Sequence, residues 1–301
     1  MKIYYYVHTG HRIGLDRFRR ATTIIRALEG VDITLLCSDF RIANEAKHFG
    51  IDKSVGIDVV RNIPQIAHHG DILIFDSAEA NPIMLDDMRR YFSTFIRLSD
   101  DRSDKKDKNE LLISPYLEGE GICNSYVVDE KYFQIHDKVN SEVKEGDLGQ
   151  KTIKIAYFFG DDDYEKDLEK NISLVEELNP DLLLGFYYFL DYEDVLKEKF
   201  PNHHEFEDYD EVIQKSEILI TASPQAALEN LAAGGKPVYI QREDYTIEFL
   251  ELFRTLNIPI VENYDKLRLI DIISSINNNI YSKMEHGSRK TADFIKENLN
   301  L

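Results

Sequence analysis

The sequence predicts an α/β protein with two doubly wound domains, each built on a parallel sheet that is covered by helices on both faces. Its 301 residues suit two domains of about 150 residues each. Short apolar runs alternate with helical patterns in both halves of the chain, which is the succession expected of parallel sheets. Apolar residues make up 43% and charged residues 30%, as in chains that bury a core throughout.

Four apolar runs in the first half, each bounded by turn or polar residues, predict strands. They cover residues 3–7, 32–37, 72–75 and 95–98. The clearest helix of this half is predicted over residues 16–29, because apolar side chains recur there at three- and four-residue spacing.

A polar stretch with two glycines at residues 138–151 predicts a linker, so the domains are expected to cover residues 1–145 and 146–301. In the second half, strands are predicted at residues 153–159, 182–186, 218–221 and 238–241, and helices near residues 165–178, 223–233, 247–256 and 266–273. The helix over 223–233 is the best marked, because Ser223 suits its N-cap, Pro224 its first position and Gly234 its end.

Charge and composition exclude several classes of function. The formal net charge of -19 would repel a phosphate backbone, so binding to nucleic acid or to an anionic membrane surface is disfavoured. Cys37 and Cys123 form neither a metal spacing nor a disulfide framework, which fits a reducing cytoplasm. No run of about 18 apolar residues occurs, so we expect no membrane span, and we expect no metal or other cofactor.

The loop after the first strand combines glycines, histidines and arginines immediately before a helix. Gly14 and the preceding Gly10 could let the backbone approach a ligand. Arg17 and Arg20 stand in the first turn of that helix, where the dipole disfavours a cation by roughly 0.3–1 kcal/mol each. A bound anion would relieve this cost, and the alternative is that the arginines pair with acids of the protein itself.

Candidate acids and bases lie in the same loops. His11 is favoured over His8 as a general base, although a loop histidine is more often a hydrogen-bonding residue. Asp76 ends one strand, and Asp100 and Asp101 follow the next; such carboxylates can position a substrate hydroxyl or orient a base, or can simply cap helices and turns.

The second half offers a turn and a helix terminus as binding elements. Gly160 and Asp162 lie in the turn after its first strand, where three consecutive aspartates either cap the next helix or face a ligand. Ser223 and Gln225 open the well-marked helix, whose N-terminus is a ready anion site, and Glu229 lies inside it.

The motifs resemble those of the sugar-nucleotide hydrolases of pseudaminic acid synthesis and the related spore-coat polysaccharide proteins, which share the GT-B fold of the peptidoglycan glycosyltransferase MurG. The family turn I-G-x-G-H-x-x-R is similar to residues 13–20, with Arg20 on the family arginine. Its strand ending in aspartate looks like residues 72–76 and its paired aspartates look like Asp100 and Asp101. Its G-G-x-D turn is similar to residues 159–162, and its E-x-x-A-x-G-x-P helix to the segment that begins at Glu229.

The resemblance implies two Rossmann-like domains facing a cleft and a nucleotide-linked sugar, most simply a UDP-sugar, as ligand. The family's catalytic histidine aligns with Arg17, and an arginine cannot act as that base at ordinary pH. The glycine before that histidine is Asp16 here, the first glycine of G-G-x-D is Phe159, and the glycine-rich start of the later helix is replaced by residues 222–225.

Three interpretations follow from the resemblance and its departures. In the first, the protein is a hydrolase in which Arg17 and Arg20 stabilise the leaving diphosphate while His11 or Asp16 replaces the lost base. In the second, it is a catalytically altered relative that binds a sugar nucleotide, another anion or a protein partner of a surface-glycan pathway. In the third, it is a glycosyltransferase in which Glu229 holds the ribose and Asp16 deprotonates the acceptor.

Overall fold

The computed structural model describes residues 1–77, 79, 81–133, 151–242 and 249–301, and the chain forms two compact units. The first unit comprises Met1–Val127 and His286–Leu301, and the second comprises Val128–Glu285. The predicted domain boundary and all of the predicted linker except residue 151 lie outside the described residues.

The first unit contains a seven-stranded sheet with the order β3-β2-β1-β4-β5-β6-β7, in which every pairing is parallel. Its strands are β1 (Ile3–Val7), β2 (Ile33–Cys37), β3 (Ser54–Gly56), β4 (Ile72–Asp76), β5 (Thr94–Leu98), β6 (Leu111–Ser114) and β7 (Ile122–Asn124). The four strands predicted for this half are confirmed, each to within one residue at either end. β1 and β4 are buried along their whole length, as expected for central strands covered on both faces.

Helices connect the strands of the first unit. They are α1 (Asp16–Ala27), α2 (Phe40–Glu45), α3 (Ile63–Ile66) and α4 (Pro82–Tyr91), with short 3-10 turns at Ala46–Phe49 and Val60–Asn62. The prediction of α1 is confirmed, because Phe18, Ala21 and Ile24 form its buried face.

The second unit contains a six-stranded parallel sheet with the order β10-β9-β8-β11-β12-β13. Its strands are β8 (Ile153–Phe158), β9 (Asp181–Leu183), β10 (His203–His204), β11 (Ser216–Thr221), β12 (Lys236–Ile240) and β13 (Ile260–Val261). Its helices are α5 (Asp167–Lys170), α6 (Leu190–Lys199), α7 (Tyr209–Lys215), α8 (Pro224–Ala232), α9 (Leu250–Thr255) and α10 (Lys266–Ser275). The helix predicted near residues 247–256 corresponds to α9, and its first two predicted residues lie outside the described part of the chain.

The helix predicted over residues 165–178 is wrong as a single element. The structure has the short helix α5 followed by two 3-10 turns, Ile172–Leu174 and Glu176–Leu178. The Asp167 carbonyl accepts from both the backbone and the side-chain amide of Asn171, at 3.0 and 2.9 Å, and Asn171 leaves the helical conformation with a φ of -111° and a ψ of 23°, so α5 ends there. The strand predicted over 182–186 is also shorter than expected, because the chain leaves the sheet before Gly185 to pass close to Gly160.

The last helix, α11 (Gly287–Leu299), returns to the first unit, although the sequence placed residues 146–301 together. Its buried face includes Ala292, Ile295 and Leu299, and α11 packs on α1. The carbonyl of Gly287 accepts a hydrogen bond from Ser125 Oγ at 3.0 Å. A Cβ at Gly287 would lie 1.7 Å from the Tyr126 carbonyl oxygen, so glycine is required where α11 begins.

Candidate active site

The strand order reverses once in each sheet, and these reversals locate the candidate site residues. In the first sheet the chain moves outward from β1 on one side and from β4 on the other, and in the second it does so from β8 and β11. Ligands of open α/β sheets bind beyond the carboxyl ends of the strands at such switch points. The four loops concerned begin after Val7, Asp76, Phe158 and Thr221, and they carry most of the residues that the sequence indicated.

An ion-pair network built on Arg20 occupies the switch point of the first unit. Its guanidinium donates to both oxygens of Asp76, at 2.9 Å from Nε and 2.5 Å from Nη2, and through Nη1 to Asp100 at 2.6 Å. Arg17 adds a second cation, with its Nε 3.5 Å from Asp76 Oδ1. Arg20 therefore joins α1 to the ends of β4 and β5. In the structure, Arg17 and Arg20 pair with acids of the protein itself, which was one of the two alternatives considered from the sequence.

The positive charges of this network keep the Asp100 carboxyl group ionised in spite of its burial. Burial by itself raises the pKa of Asp100, but the charge and hydrogen bond of Arg20 and the charge of Arg17 hold that pKa below its ordinary value. Asp76 is 1% exposed and also accepts from the Tyr5 hydroxyl at 3.4 Å. The side chain of Arg17 is 26% exposed and that of Arg20 is 11% exposed, so Arg17 is the more accessible cation of the network.

The loop between β1 and α1 is a tight turn that presents the start of the helix. The amide of Gly14 donates to the Gly10 carbonyl at 3.0 Å, and both glycines have positive φ angles, of 74° and 150°. Asp16 is the first residue of α1, where its negative charge suits the helix dipole. His11 lies within this turn, so the loop brings the predicted base candidates His11 and Asp16 close to Arg17 along the chain.

Two further carboxylates of the first unit behave differently from each other. Asp101 accepts from both the amide and the hydroxyl of Ser103 at 2.7 Å, which is the turn-stabilising role considered for it in the sequence. Glu79, which the sequence reading missed, lies in the loop after β4 with its Oε1 3.7 Å from His8 Nε2. The hydroxyl of Tyr6 donates to Glu79 Oε2. The position of Glu79, three residues beyond Asp76 in a loop that follows a strand, was the sequence signal that could have identified it.

The turn after β8 is shaped by the close approach of two glycines. Gly160 has a φ of 134°, and a Cβ at Gly185 would lie 2.4 Å from the Gly160 carbonyl oxygen. The Asp161 carbonyl accepts from the Tyr187 amide at 2.8 Å, which ties the turn to the loop after β9. The predicted residues Gly160 and Asp162 thus lie in a turn where the φ of residue 160 favours glycine and the space at residue 185 requires it.

Arg242 contacts the same turn and was missed in the sequence. It stands two residues beyond β12, is 2% exposed, and donates through Nη1 to the Asp162 carbonyl at 2.7 Å. Its guanidinium carbon lies 4.8 Å from the ring centroid of Phe159, within the range of a cation–π contact. A single arginine after a predicted strand carries no distinctive sequence signal.

The aspartates of the turn have partners in the protein. Asp163 accepts from the amides of Asp167 at 2.8 Å and Leu168 at 3.0 Å and from the Tyr192 hydroxyl at 2.5 Å. Burial nevertheless raises the pKa of Asp163 above its ordinary value. Asp163 thus caps the following helix α5, as considered from the sequence. Asp162 accepts from the Tyr164 amide at 3.3 Å.

The start of α8 combines a side-chain cap with a buried polar row. Ser223 Oγ accepts from the Ala226 amide at 3.1 Å, so the N-cap prediction is confirmed. Glu229, which is 2% exposed, accepts from Gln225 Nε2 at 2.8 Å and from the Tyr209 hydroxyl at 2.7 Å. Gln225 and Glu229 are therefore neighbours on one face of α8, one turn apart.

Comparison with solved structures identifies the architecture. No protein-family model matches the sequence, and neither does any curated protein. The UDP-GlcNAc 2-epimerase of Methanocaldococcus jannaschii, in complex with UDP-GlcNAc and UDP, is similar with a TM-score of 0.60 and 13% identity over 100% of both chains. The glycosyltransferase SnogD from Streptomyces nogalater has a TM-score of 0.54 and 12% identity over 99% of both chains. Anabaena HepE in complex with UDP-glucose has a TM-score of 0.58 and 13% identity, over 98% of this chain and 93% of its own.

This protein has the GT-B fold. The prediction of two Rossmann-like domains with parallel sheets is confirmed, because both sheets are doubly wound around a single switch point. The identities are too low to carry an activity from the similar structures to this chain.

Two further findings concern metal binding and membrane-spanning helices. Among the described residues, no group of three or more histidine, cysteine, aspartate or glutamate side chains is arranged to hold a metal ion. The same part of the chain contains no helix that is both long and apolar enough to span a membrane.

Proposed function

We propose that this protein is a sugar-nucleotide-binding enzyme of the glycosyltransferase or hydrolase type, acting on a UDP-sugar in cytoplasmic glycan synthesis. One observation carries the binding proposal. At the switch point of the second sheet, the Gly160 turn, the N-terminus of α8 and the buried Arg242 follow three adjacent strands, β8, β11 and β12.

Each of these elements suits one part of a nucleoside diphosphate. The Gly160 turn brings bare backbone to the carboxyl edge, and the amides and dipole of the α8 terminus favour a phosphate oxygen. Arg242 supplies positive charge next to the turn. Glu229 and Gln225 offer a carboxylate and an amide that suit the two hydroxyls of a ribose.

The three aspartates of the turn oppose a diphosphate, and the structure limits this opposition. The carboxylate of Asp163 is directed at two amides and a tyrosine hydroxyl, so its charge is compensated within the protein. The structures of similar fold that hold UDP-GlcNAc with UDP, and UDP-glucose, support uridine as the nucleotide of the proposal.

In the reaction, the first unit would stabilise charge and transfer the proton. Arg17 would supply positive charge to a negatively charged group of the substrate, and Arg20 would hold Asp76, the ion-pair partner of Arg17, in place. The alternative, a catalytically altered sugar-nucleotide-binding protein, is favoured by one specific observation: Arg17 stands where the resembling hydrolases have their histidine, and it is ion-paired to Asp76.

Isothermal titration calorimetry of the full chain against UDP, UDP-GlcNAc, UDP-glucose, CMP and GDP tests the binding. We expect UDP and at least one UDP-sugar to bind and CMP and GDP to bind more weakly. Absence of heat with every nucleotide would contradict the proposal. Chromatography that monitors the release of UDP from each UDP-sugar then distinguishes an enzyme from a binding protein.

A matched pair of variants tests the location. Glu229→Gln removes a charged acceptor and should weaken UDP binding about 10-fold to 100-fold, as expected for a hydrogen bond to a charged group of about 1.5–3 kcal/mol. Glu217→Gln in the same sheet, which removes a surface partner of Lys154 and Lys236, should leave the affinity unchanged. Equal affinities of the two variants would show that Glu229 does not hold the ribose.

A further inference from the structure

His8 and Glu79 form a histidine–carboxylate pair at the switch point of the first unit. His8 directly follows β1, and its amide donates to the Asp76 carbonyl at 3.1 Å, which extends the pairing of β1 with β4. Its Nε2 lies 3.7 Å from Glu79 Oε1. Both side chains are partly exposed, at 20% and 26%.

The carboxylate of this pair is held from the opposite side. Glu79 Oε2 accepts from the hydroxyl of Tyr6 and from Ser77 Oγ at 3.3 Å. Burial and the hydrogen bond to Glu79 raise the pKa of Tyr6, so this hydroxyl stays protonated and remains a donor. With Oε2 engaged in this way, Oε1 is left facing the imidazole.

Two polar atoms beside the pair are buried and have no hydrogen-bond partner among the described residues: His8 Nδ1 and Thr9 Oγ1. Thr9 is 4% exposed, and its backbone is fixed because Ser38 Oγ accepts from its amide and donates to its carbonyl, both at 2.8 Å. Burial of a polar group without a partner is unfavourable, so such atoms usually mark the place of a ligand or water.

We propose that His8, positioned by Glu79, is the general base of this enzyme, an inference that rests on the proposed function. His8 Nδ1 and Thr9 Oγ1 then bind the attacking hydroxyl of water or of an acceptor sugar. The sequence alone favoured His11. In the structure it is His8 that has a carboxylate beside its imidazole and a buried, unused ring nitrogen.

The charges around His8 keep it in the form that can accept a proton. Burial lowers its pKa, the nearby Arg17 lowers it further, and Glu79 acts in the opposite direction, so the pKa lies below the ordinary value of a histidine. Its ring is therefore largely neutral near pH 7. Arg17 cannot take this role, because a guanidinium stays protonated.

The step balances with the substrate as the only other participant. The hydroxyl oxygen forms a bond to the anomeric carbon of the UDP-sugar, and the bond from that carbon to the phosphate oxygen breaks. UDP leaves with the electron pair of the broken bond, and the hydroxyl proton moves to His8 Nδ1. No oxidant, reductant or metal enters the step.

The test compares His8→Asn, Glu79→Gln and, as a control, His48→Asn, whose imidazole is 79% exposed and paired with Glu45 within one helical turn. Release of UDP from UDP-GlcNAc and UDP-glucose is measured from pH 5 to pH 9, with and without N-acetylglucosamine as acceptor. We expect His8→Asn to lower kcat about 10²-fold to 10⁴-fold, as for loss of a general base, with UDP affinity within about threefold of wild type. The control should match the wild type.

A readout independent of turnover is the titration of the His8 ring followed by NMR. Glu79→Gln removes a carboxylate charge that raises the His8 pKa, so this pKa should fall further, and the rising limb of kcat/KM should move to lower pH with it. A merely structural role of Glu79 would lower stability without moving either value.

The outcomes separate this inference from the proposed function. If the wild type binds no nucleotide, the proposed function fails and the base assignment fails with it. If UDP binds and the wild type releases it, but His8→Asn keeps turnover within about threefold of wild type, only the assignment of His8 is overturned. A wild type that binds UDP and releases none would overturn the enzyme proposal and the assignment of His8 together. An unchanged His8 pKa in Glu79→Gln would contradict the positioning by Glu79.

Discussion

The switch points of the two sheets are built from different materials. In the first unit, charged side chains from α1, β4 and β5 meet in a buried network around Arg20. In the second, the corresponding place is made of backbone: a glycine turn, a helix terminus and the carbonyl of Asp162, to which Arg242 donates. The comparison indicates that the first site owes its shape to long-range ion pairs, whereas the second owes it to close approach of the chain.

The largest effect is expected from removing the centre of the charged network. Arg20→Met leaves Asp100 buried without its paired cation and Asp76 with only the longer contact to Arg17, and should lower the free energy of unfolding by about 3–5 kcal/mol. Chemical denaturation, with amide hydrogen exchange reporting on the first unit, measures this loss. Lys53→Met breaks the exposed pair with Asp32 and should cost less than about 1 kcal/mol. A similar cost for both variants would show that burial does not strengthen the network.

The next effect concerns close approach in the second unit. Gly185→Ala would place a Cβ 2.4 Å from the Gly160 carbonyl oxygen, so the turn must shift, at a cost of about 1–3 kcal/mol. UDP affinity should fall at the same time. Gly30→Ala is the control, because Gly30 has a positive φ of 79° but open space around it, and it should show only the backbone strain of about 1 kcal/mol. Equal losses in the two variants would exclude crowding as the cause.

Two buried aspartates near the switch points, Asp100 in the first unit and Asp163 in the second, should respond to pH in opposite directions. The folded-state pKa of Asp100 is lowered, so its contribution is present above the unfolded pKa of about 3.9 and is lost as the pH falls through the folded value. The pKa of Asp163 is raised, so its contribution is present below the unfolded pKa and is lost as the pH rises through the folded value.

Denaturation of Asp100→Asn and Asp163→Asn between pH 3 and pH 7 tests this contrast. The destabilisation caused by Asp100→Asn should shrink as the pH falls. The stability of Asp163→Asn relative to the wild type should instead improve as the pH rises. If both differences change in the same direction, the contrast between the two aspartates is wrong.

The smallest expected effect is that of the helix caps. Ser223→Ala removes the acceptor for the Ala226 amide and should cost about 1 kcal/mol. Asn81→Ala does the same to the Met84 amide at the start of α4 in the first unit, and a similar cost is expected. Because both caps are local, equal losses would show that the units differ at their switch points and not in their helices.

Much of the fold could be predicted, because its signals are local. The strands around Val7, Asp76 and Thr221 were found from short apolar runs, and Ser223 was recognised as an N-cap from its own neighbours. The helix predicted over 165–178 is wrong because Asn171 leaves the helical conformation and ends α5, which apolar spacing alone does not reveal.

The candidate site could be predicted only in part. Arg20, Asp76 and Asp100 were selected for their places after strands, yet nothing in the sequence showed that they bond to one another across 56 and 80 residues of chain. Arg242 and Glu79 were missed because each is a single charged residue in a loop, and its partner is brought near by the order of the strands.

The sequence by itself determined the succession of strands and helices, the caps and the loops that hold polar residues, because these depend on neighbours within a few positions. Tertiary structure alone decided which loops meet. The strand orders bring the loop of His8 beside that of Glu79 and the turn of Gly160 beside Arg242, and they allow α11 to return to the first unit. Contacts between distant segments depend on sheet topology and packing, which no local pattern of residues contains.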